Sequence, residues 1–261
     1  MGVDSTTAGL AASALAVLAL ALAAPVPILL ARASWPTQAP ARALVLWQLI
    51  ALAGGFSMIG ALVAAGIALA PVHTLGGGIL IGIAVGLAGH LLGHLAATVV
   101  SVARSRRRHR TLLDLLTSPD PSRPQTLILD AATPVAYCLP AGFSSITVLS
   151  RGLLDRLPPA ELAAVIAHER AHLTQRHDIV LVAFRAWHSA LPWFPIAARA
   201  AEEVAVLVEL LADDGARRTT PDHVLARAIA TVSTAHATDF VDAGGPPPRS
   251  TRDRLRRLTA G

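Results

Sequence analysis

Three long uncharged runs constrain the fold of this 261-residue chain more than any other feature of its sequence. Residues 9–30, 43–70 and 74–103 contain no Asp, Glu, Lys or Arg. A helix that crosses a hydrocarbon core of about 30 Å needs about 20 apolar residues, so each run is long enough to span a membrane. The sequence therefore predicts an α-rich membrane protein with three transmembrane helices within residues 1–103.

The first run could instead belong to a secretory signal peptide, with Ala21-Leu22-Ala23 as its cleavage site. A signal peptide begins with a positively charged segment, whereas Asp4 is the only charged residue among the first eight. The run is also long for the apolar part of such a peptide. We therefore expect a retained helix.

The positions of the arginines predict the orientation of these helices. The cluster Arg104-Ser-Arg-Arg-Arg-His-Arg110 directly follows the third run, and loops rich in arginine usually stay in the cytoplasm. The loop at 31–42 carries Arg32 and Arg42, whereas residues 71–73 carry no Arg or Lys. We expect a multi-pass plasma-membrane protein with its N-terminus outside and its polar part in the cytoplasm. The cluster could also bind nucleic acid, but topology is the favoured interpretation and no direct nucleic-acid binding is expected.

The third run contains two histidines, His90 and His94, well inside the predicted span. Ionisable groups at that depth usually face protein or a water-filled cavity. The pair could form a second metal site or a proton-sensitive site. Neutral rings that hydrogen-bond to neighbouring helices are the favoured interpretation.

The rest of the chain is predicted to have three parts. These are a basic juxtamembrane segment and linker at 104–124, an α+β domain with a small sheet at 125–220, and a C-terminal helical segment with a basic tail at 221–261. Strands are predicted at 125–130, 134–140 and 145–150. Proline brackets the middle strand, which is typical of an edge strand that could hold an extended peptide, although a structural hairpin fits nearly as well.

The stretch His168-Glu169-Arg-Ala-His172 predicts the chemistry of the α+β part. It lies in an apolar run typical of a helix, and histidines four residues apart project from one face of a helix. Two imidazoles in that arrangement can hold one Zn²⁺, and Glu169 can then accept a proton from an attacking water. The pattern predicts one zinc ion per chain and hydrolysis of a peptide bond with Glu169 as general base.

The third zinc ligand must come from another part of the chain. A metzincin would need glycine at position 175 and histidine at position 178, but Gln175 and Asp178 stand there. That class is therefore excluded. His177 is one residue out of register and is not assigned to the metal.

Glu209 and Asp213 are the strongest candidates to complete the site. They are four residues apart in a run with helical spacing, so they share one face. A carboxylate ligand and a second carboxylate that orients a histidine would be arranged in this way. Glu202 and Glu203 are rival candidates.

Residues 179–196 form an apolar stretch between the two motifs. Arg185, His188 and two prolines argue against a fourth span. A span here would also put His172 and Glu209 on opposite sides of the membrane. A buried or interfacial hairpin that leans on the membrane is expected instead.

Several stretches together resemble the BlaR/MecR family of membrane metallopeptidases and, more distantly, the HtpX and CAAX-prenyl-protease group. They are Ala136-Tyr-Cys-Leu-Pro, Ile146-Thr-Val-Leu-Ser, residues 157–172, Trp193-Phe-Pro and Glu209-Leu-Leu-Ala-Asp213. The resemblance implies a gluzincin-like α+β zinc metallopeptidase domain attached to the lipid bilayer on its cytoplasmic side. By motif it implies that His168, His172 and Glu209 bind zinc, with Glu169 as general base and Asp213 as a supporting carboxylate.

The resemblance also implies a class of function. Known members cleave a cytosolic transcriptional repressor, so regulatory proteolysis of such a protein is the first expectation. The alternatives are quality control of membrane proteins by an HtpX-like protease, and a non-enzymatic zinc-stabilised scaffold or signalling protein. Signal-sensing members continue into a penicillin-binding domain, and the sequence through Gly261 contains no such domain, so β-lactam sensing is not expected.

The segment Arg254-Leu-Arg-Arg-Leu258 resembles a stretch near the active site of the HtpX-like group. A cation in that place can stabilise an oxyanion, which makes Arg254 a candidate for this role. An amphipathic tail that lies on acidic lipid is at least as good an interpretation.

Overall fold

The computed structural model describes residues 4–141, 144–239 and 249–259. They form two compact units. The first, here called the apolar unit, takes its residues from 1–101 and 181–204, and the second, the polar unit, takes them from 102–180 and 205–261. Residues 104–124 and 221–261, which the sequence sets apart as separate parts, thus contribute to the same polar unit.

Three helical stretches of the described residues are long and apolar enough to cross a membrane, at the positions that the sequence predicts. The first is made of two helices separated at Ala24, and its N-terminal helix is capped by the Asp4 side chain. The third continues without a break into the basic cluster, because no glycine or proline interrupts residues 94–116. The helices are α1 (Ser5–Ala23), α2 (Pro25–Arg32), α3 (Trp35–Gln38), α4 (Pro40–Leu69) and α5 (Thr74–Leu116).

Small residues allow α4 and α5 to approach closely. A Cβ built on Gly77 would lie 2.6 Å from the carbonyl oxygen of Gly66, so a larger residue would force the helices apart. The two histidines of α5 contact residues 189–190, which belong to the same unit. His90 Nε2 lies 2.9 Å from the carbonyl oxygen of Ala190, and His94 Nδ1 lies 3.1 Å from Ser189 Oγ. These contacts agree with the favoured interpretation of hydrogen-bonded rings.

The stretch at 179–196 folds as two helices with a break between them. Helix α8 (His177–Ala190) ends before Pro192, and α9 (Pro195–Ala216) begins at Pro195. Neither is among the candidate spans found in the described residues. Residues 181–204 belong to the apolar unit, as a hairpin associated with the membrane helices would.

A four-stranded sheet lies in the polar unit, in the order β1-β2-β4-β3. Strand β2 pairs in parallel with β4, and the two outer strands pair antiparallel with their neighbours. Strand β3 lies at an edge, which confirms that prediction. The other edge strand was not expected, because its three residues end in the proline-rich linker. The strands are β1 (Thr117–Pro119), β2 (Thr126–Leu129), β3 (Ala136–Ala141) and β4 (Ser144–Ser150).

Helices pack against this sheet and against each other through two apolar clusters. Ser150 caps the first helix after the sheet, with its Oγ 3.2 Å from Leu153 N, and Pro159 occupies the first turn of the next. One cluster joins Leu149 and Leu153 to Leu162, and the other includes Ala164, Leu225 and Leu258. The remaining helices are α6 (Arg151–Arg156), α7 (Pro159–Thr174), α10 (Asp222–Asp239) and α11 (Arg249–Thr259).

Candidate metal centre

Helix α7 brings the two histidines of the HExxH stretch together. His168 and His172 lie one turn apart, with ring centroids 4.8 Å apart and Nε2 atoms 3.1 Å apart. Ala164 and Ala171, on the buried part of the helix, are small enough for neighbouring helices to pack close to these rings. His168 itself is only 6% exposed, so its ring faces protein rather than bulk water.

Glu209 on α9 completes a group of three ligand-type side chains. Its Oε2 lies 3.4 Å from His168 Nε2, and its Oε1 lies 3.4 Å from His172 Nε2. The three ligand atoms lie within 4.8 Å of one another. Two imidazole nitrogens and one carboxylate oxygen are a donor set that suits Zn²⁺ and leaves a coordination position open. The residues present therefore fit the zinc ion that the sequence predicts.

The rival glutamates stand outside this group. Glu202 is exposed, and Glu203 lies 3.9 Å from Arg199 in an ion pair. Within the described ranges, the group of at least three His, Cys, Asp or Glu residues that could hold a metal ion is His168, His172 and Glu209.

A glycine on α9 allows this helix to approach α7. A Cβ on Gly215 would overlap the Cβ of Ala171 and lie 3.0 Å from Gln175 Nε2. The close approach sets the distance between the two helices, and hence the distance from Glu209 to the two histidines. A side chain at position 215 would push the third ligand away from the other two.

Asp213, the second carboxylate singled out in the sequence, contacts the first histidine. Its Oδ1 lies 2.9 Å from His168 Nδ1, and its side chain is only 3% exposed. A histidine that donates Nδ1–H to a carboxylate keeps its Nε2 lone pair available for a metal. The hydrogen bond therefore orients His168 with Nε2 towards Glu209.

Arg254 of α11 reaches the same carboxylates. Its Nε and Nη2 donate to the two oxygens of Asp213, each at 2.8 Å, and its Nη1 donates to Glu209 Oε2 at 3.0 Å. Nη2 also lies 3.4 Å from His168 Nδ1, but both nitrogens are donors that share the oxygen of Asp213. The guanidinium thus lies at the site and neutralises two carboxylates, while its role towards an oxyanion stays a prediction.

The rest of α11 is anchored in the polar unit. Leu258 and Thr251 are buried, and Arg257 pairs with Asp214 at 2.8 Å. This packing differs from the alternative in which the segment is a tail lying on lipid. It explains why Arg254 is held at the cluster.

The charges in this cluster shift one another's pKa values. Burial lowers the pKa of His168, but the hydrogen bonds from its ring to Asp213 and Glu209 outweigh this and raise it to about 9. Burial opposes ionisation of Glu209, yet its bonds with His168 and His172 hold its pKa well below the usual range. Burial also opposes ionisation of Asp213, but its hydrogen bonds with His168 and Arg254 lower its pKa. Without metal, both ring nitrogens of His168 therefore carry a proton at neutral pH, and zinc must displace the one on Nε2.

Glu169 lies beside the cluster on a cavity of about 520 Å³. Burial raises its pKa above the usual range, and the charges of the two neighbouring histidines oppose that shift. A carboxylate with a raised pKa is better matched to proton transfer near neutral pH. The cavity is walled on its other side by apolar residues of α10, among them Leu225, Ile229 and Val232.

Sequence reasoning did not predict that His177 contacts His172. Its ring is 3% exposed and its Nδ1 lies 3.0 Å from His172 Nδ1. Burial and the neighbouring His172 lower the pKa of His177 to about 4, so the ring is neutral at pH 7. The only signal in the sequence was a third histidine five residues after the pentapeptide, which ligand spacing alone does not select.

Parts of the chain are similar to a family of peptidases and to two proteases. Residues 102–208 match the profile of Peptidase family M48. The chain is also similar over 86 residues to Protease HtpX homolog 2 of Methanosarcina mazei, at 33% identity, and to Protease HtpX homolog 2 of Methanosarcina acetivorans, at 31% identity. Each alignment covers 33% of this chain and 29% of the relative. No solved structure matches the chain.

The similarity to Peptidase family M48 and to the HtpX homologs thus extends over part of this chain and less than a third of those relatives. The matches do not confirm the BlaR/MecR type, and the orientation of the helices stays a prediction. The M48 match includes the HExxH stretch and ends one residue before Glu209. The inclusion of Glu209, Asp213 and Arg254 in the site therefore rests on the geometry.

Proposed function

We propose that this protein is a zinc endopeptidase of the HtpX-like M48 type, anchored by three membrane helices. The observation that carries the proposal is the convergence of His168, His172 and Glu209, with Glu169 on the cavity beside them. The M48 match over residues 102–208 supports peptide-bond hydrolysis as the reaction.

Each polar side chain of the cluster has a distinct task in this proposal. His168, His172 and Glu209 would hold the zinc ion, which supplies a Lewis acid that polarises the scissile carbonyl and lowers the pKa of water. Glu169 accepts the proton of the attacking water and then delivers it to the leaving amine, so that one water is consumed for each bond cleaved. Its raised pKa suits both transfers.

Substrate binding is proposed at the edge of the sheet. Strand β3 (Ala136–Ala141) lies at that edge and packs against α7, the helix that carries Glu169. An extended peptide can add to an exposed edge through main-chain hydrogen bonds, with little dependence on sequence. Such binding suits a protease that acts on unfolded segments of many proteins.

Membrane proteins are the substrate class that we favour. The chain carries its own membrane helices and resembles HtpX homologs, which are named as proteases. The matches give no support for a transcriptional repressor as substrate, so that expectation is not carried into the proposal. A zinc-stabilised scaffold remains the non-enzymatic alternative that the experiment must separate.

The test compares wild type with Glu169→Gln, both purified in detergent. Cleavage of an unfolded fluorescent protein substrate should fall by about 10²–10⁴-fold in the variant. Zinc content should be unchanged, because Glu169 is not among the ligands. Glu202→Gln is the matched control, since Glu202 is exposed. Equal cleavage by wild type and Glu169→Gln would refute the protease and favour the scaffold.

A further inference from the structure

His177 lies behind His172, on the side of the ring that faces away from Glu209. The two rings meet edge to face, with centroids 4.9 Å apart and planes at 87°. Their Nδ1 atoms are 3.0 Å apart, whereas His172 Nε2 lies 3.4 Å from Glu209 Oε1. The two nitrogens of His172 thus have separate partners.

A left-handed turn brings His177 to this position. Helix α7 ends at Thr174, and Gln175 closes its last turn through a bond from its N–H to the carbonyl of Ala171 at 3.0 Å. Arg176 then has a φ of 51°, a conformation that reverses the chain after a helix and is usually taken by glycine. The next residue, His177, starts α8 and points back at the face of α7 that carries the ligand histidines.

Gln175 fixes one nitrogen of the His177 ring. The amide Nε2 of Gln175 lies 3.3 Å from the carbonyl oxygen of Leu211, and a carbonyl can only accept. The amide nitrogen must therefore face Leu211, so the amide oxygen faces His177. That oxygen lies 2.9 Å from His177 Nε2 and accepts a hydrogen bond from it.

These contacts determine which nitrogen of each neutral ring carries the hydrogen. His177 Nε2 carries the hydrogen, and a neutral imidazole has one N–H and one lone pair, so His177 Nδ1 is an acceptor. His172 Nδ1 must then donate to it. The lone pair of His172 is left on Nε2, the atom that faces Glu209 and His168.

We propose that His177, held by Gln175, is a positioning residue that fixes the tautomer and the direction of His172 as a zinc ligand. This inference rests on the zinc site of the proposed function. His177 would do for His172 what Asp213 does for His168, so each ligand histidine has its own partner on Nδ1. The contact to Leu211 ties the arrangement to α9, the helix that supplies Glu209.

The test measures zinc affinity of the full chain in detergent by competition with a chromophoric chelator. His177→Leu removes the acceptor, and loss of such a partner typically weakens metal binding by about 10–100-fold. His177→Asn should restore most of the affinity, because its amide oxygen stands close to the position of Nδ1 and can accept from His172. The matched control is His223→Leu, which changes an exposed histidine and should bind zinc as wild type does.

A second measurement needs no variant that could fail to fold. In ¹⁵N-histidine spectra of the zinc-bound wild type, His172 should carry its proton on Nδ1 and His177 on Nε2. Unchanged zinc affinity in His177→Leu, no recovery in His177→Asn, or a His177 proton on Nδ1 would each overturn the inference.

These outcomes are separate from those of the protease proposal. If wild type binds zinc and His177→Leu binds it equally well, the positioning role fails while the protease stands. If zinc affinity depends on His177 but no Glu169-dependent cleavage occurs, the protease fails while the positioning role stands.

Discussion

Asp213 Oδ1 lies 2.9 Å from His168 Nδ1. Asp213 follows Glu209 by one helical turn on the same helix, α9. Both oxygens of this carboxylate also accept from Arg254, at 2.8 Å each. One buried side chain of α9 therefore orients a histidine of α7 and holds an arginine of α11. The geometry of the proposed zinc ligands depends on this junction between three helices.

Replacing Asp213 tests that dependence. In Asp213→Asn the charged carboxylate partner of His168 is lost. The amide is neutral, its remaining oxygen is a weaker acceptor, and an NH2 donor replaces one of the two oxygens that accept from Arg254. Zinc affinity should fall by about 10–100-fold, as expected when the partner of a ligand histidine is lost. Asp214→Asn is the matched control, because Asp214 pairs with Arg217 and Arg257 instead. Equal affinities for the two variants in a chelator competition would contradict the assignment.

The raised pKa of His168 predicts how stability and zinc binding vary with pH. A pKa raised from 6.5 to about 9 in the folded protein means that protonation stabilises the metal-free fold fully below pH 6.5. That contribution is lost as the pH rises through 9. Because zinc displaces the same proton, its affinity should rise over the same range.

Thermal unfolding in a chelator, and again with saturating zinc, measures both effects. The melting temperature of the metal-free protein should decrease from pH 6.5 to 9, while the increase caused by zinc becomes larger. His168→Asn serves as the reference, since it removes the group that titrates. A wild-type profile parallel to that of His168→Asn would contradict the prediction.

The close approach of α7 and α9 predicts a strong effect at Gly215. In Gly215→Ala the new methyl group would overlap Ala171, and such overpacking typically costs about 1–3 kcal/mol of unfolding free energy. Zinc affinity should fall as well, because the change moves Glu209 relative to His168. Gly78→Ala is the control, since a Cβ there meets no atom within 4 Å. Unfolding of both variants by denaturant is the measurement, and equal stabilities would argue against tight packing at Gly215.

Local pattern in the sequence predicts much of this protein. Uncharged runs are enough to predict three spans, because the bilayer sets a minimum length for any helix that crosses it. Helical spacing is enough to put His168 with His172, and Glu209 with Asp213, on common faces. It does not say which faces meet, and only the fold shows that the two pairs face each other.

The features that were missed depend on tertiary contacts or on unusual backbone. Strand β1 has three residues and is formed by pairing of Thr117 with Leu129, which no local pattern announces. The turn before His177 has Arg176 in a left-handed conformation that glycine usually takes, so the sequence does not indicate the turn. Without the turn, the spacing gives no reason to place His177 next to His172. Arg254 is 41 residues from its carboxylate partner Asp213, beyond the reach of any periodicity.

The composition of the metal site tests the central claim most directly. The purified protein should contain one zinc per chain. X-ray absorption at the zinc edge should show two imidazoles and oxygen ligands, at zinc–ligand distances of about 2.0–2.2 Å. No sulfur should contribute, and Glu209→Ala should lose the metal or bind it far more weakly. Full zinc content in Glu209→Ala, or the Cys138 sulfur bound to zinc at about 2.3 Å, would contradict the site described here.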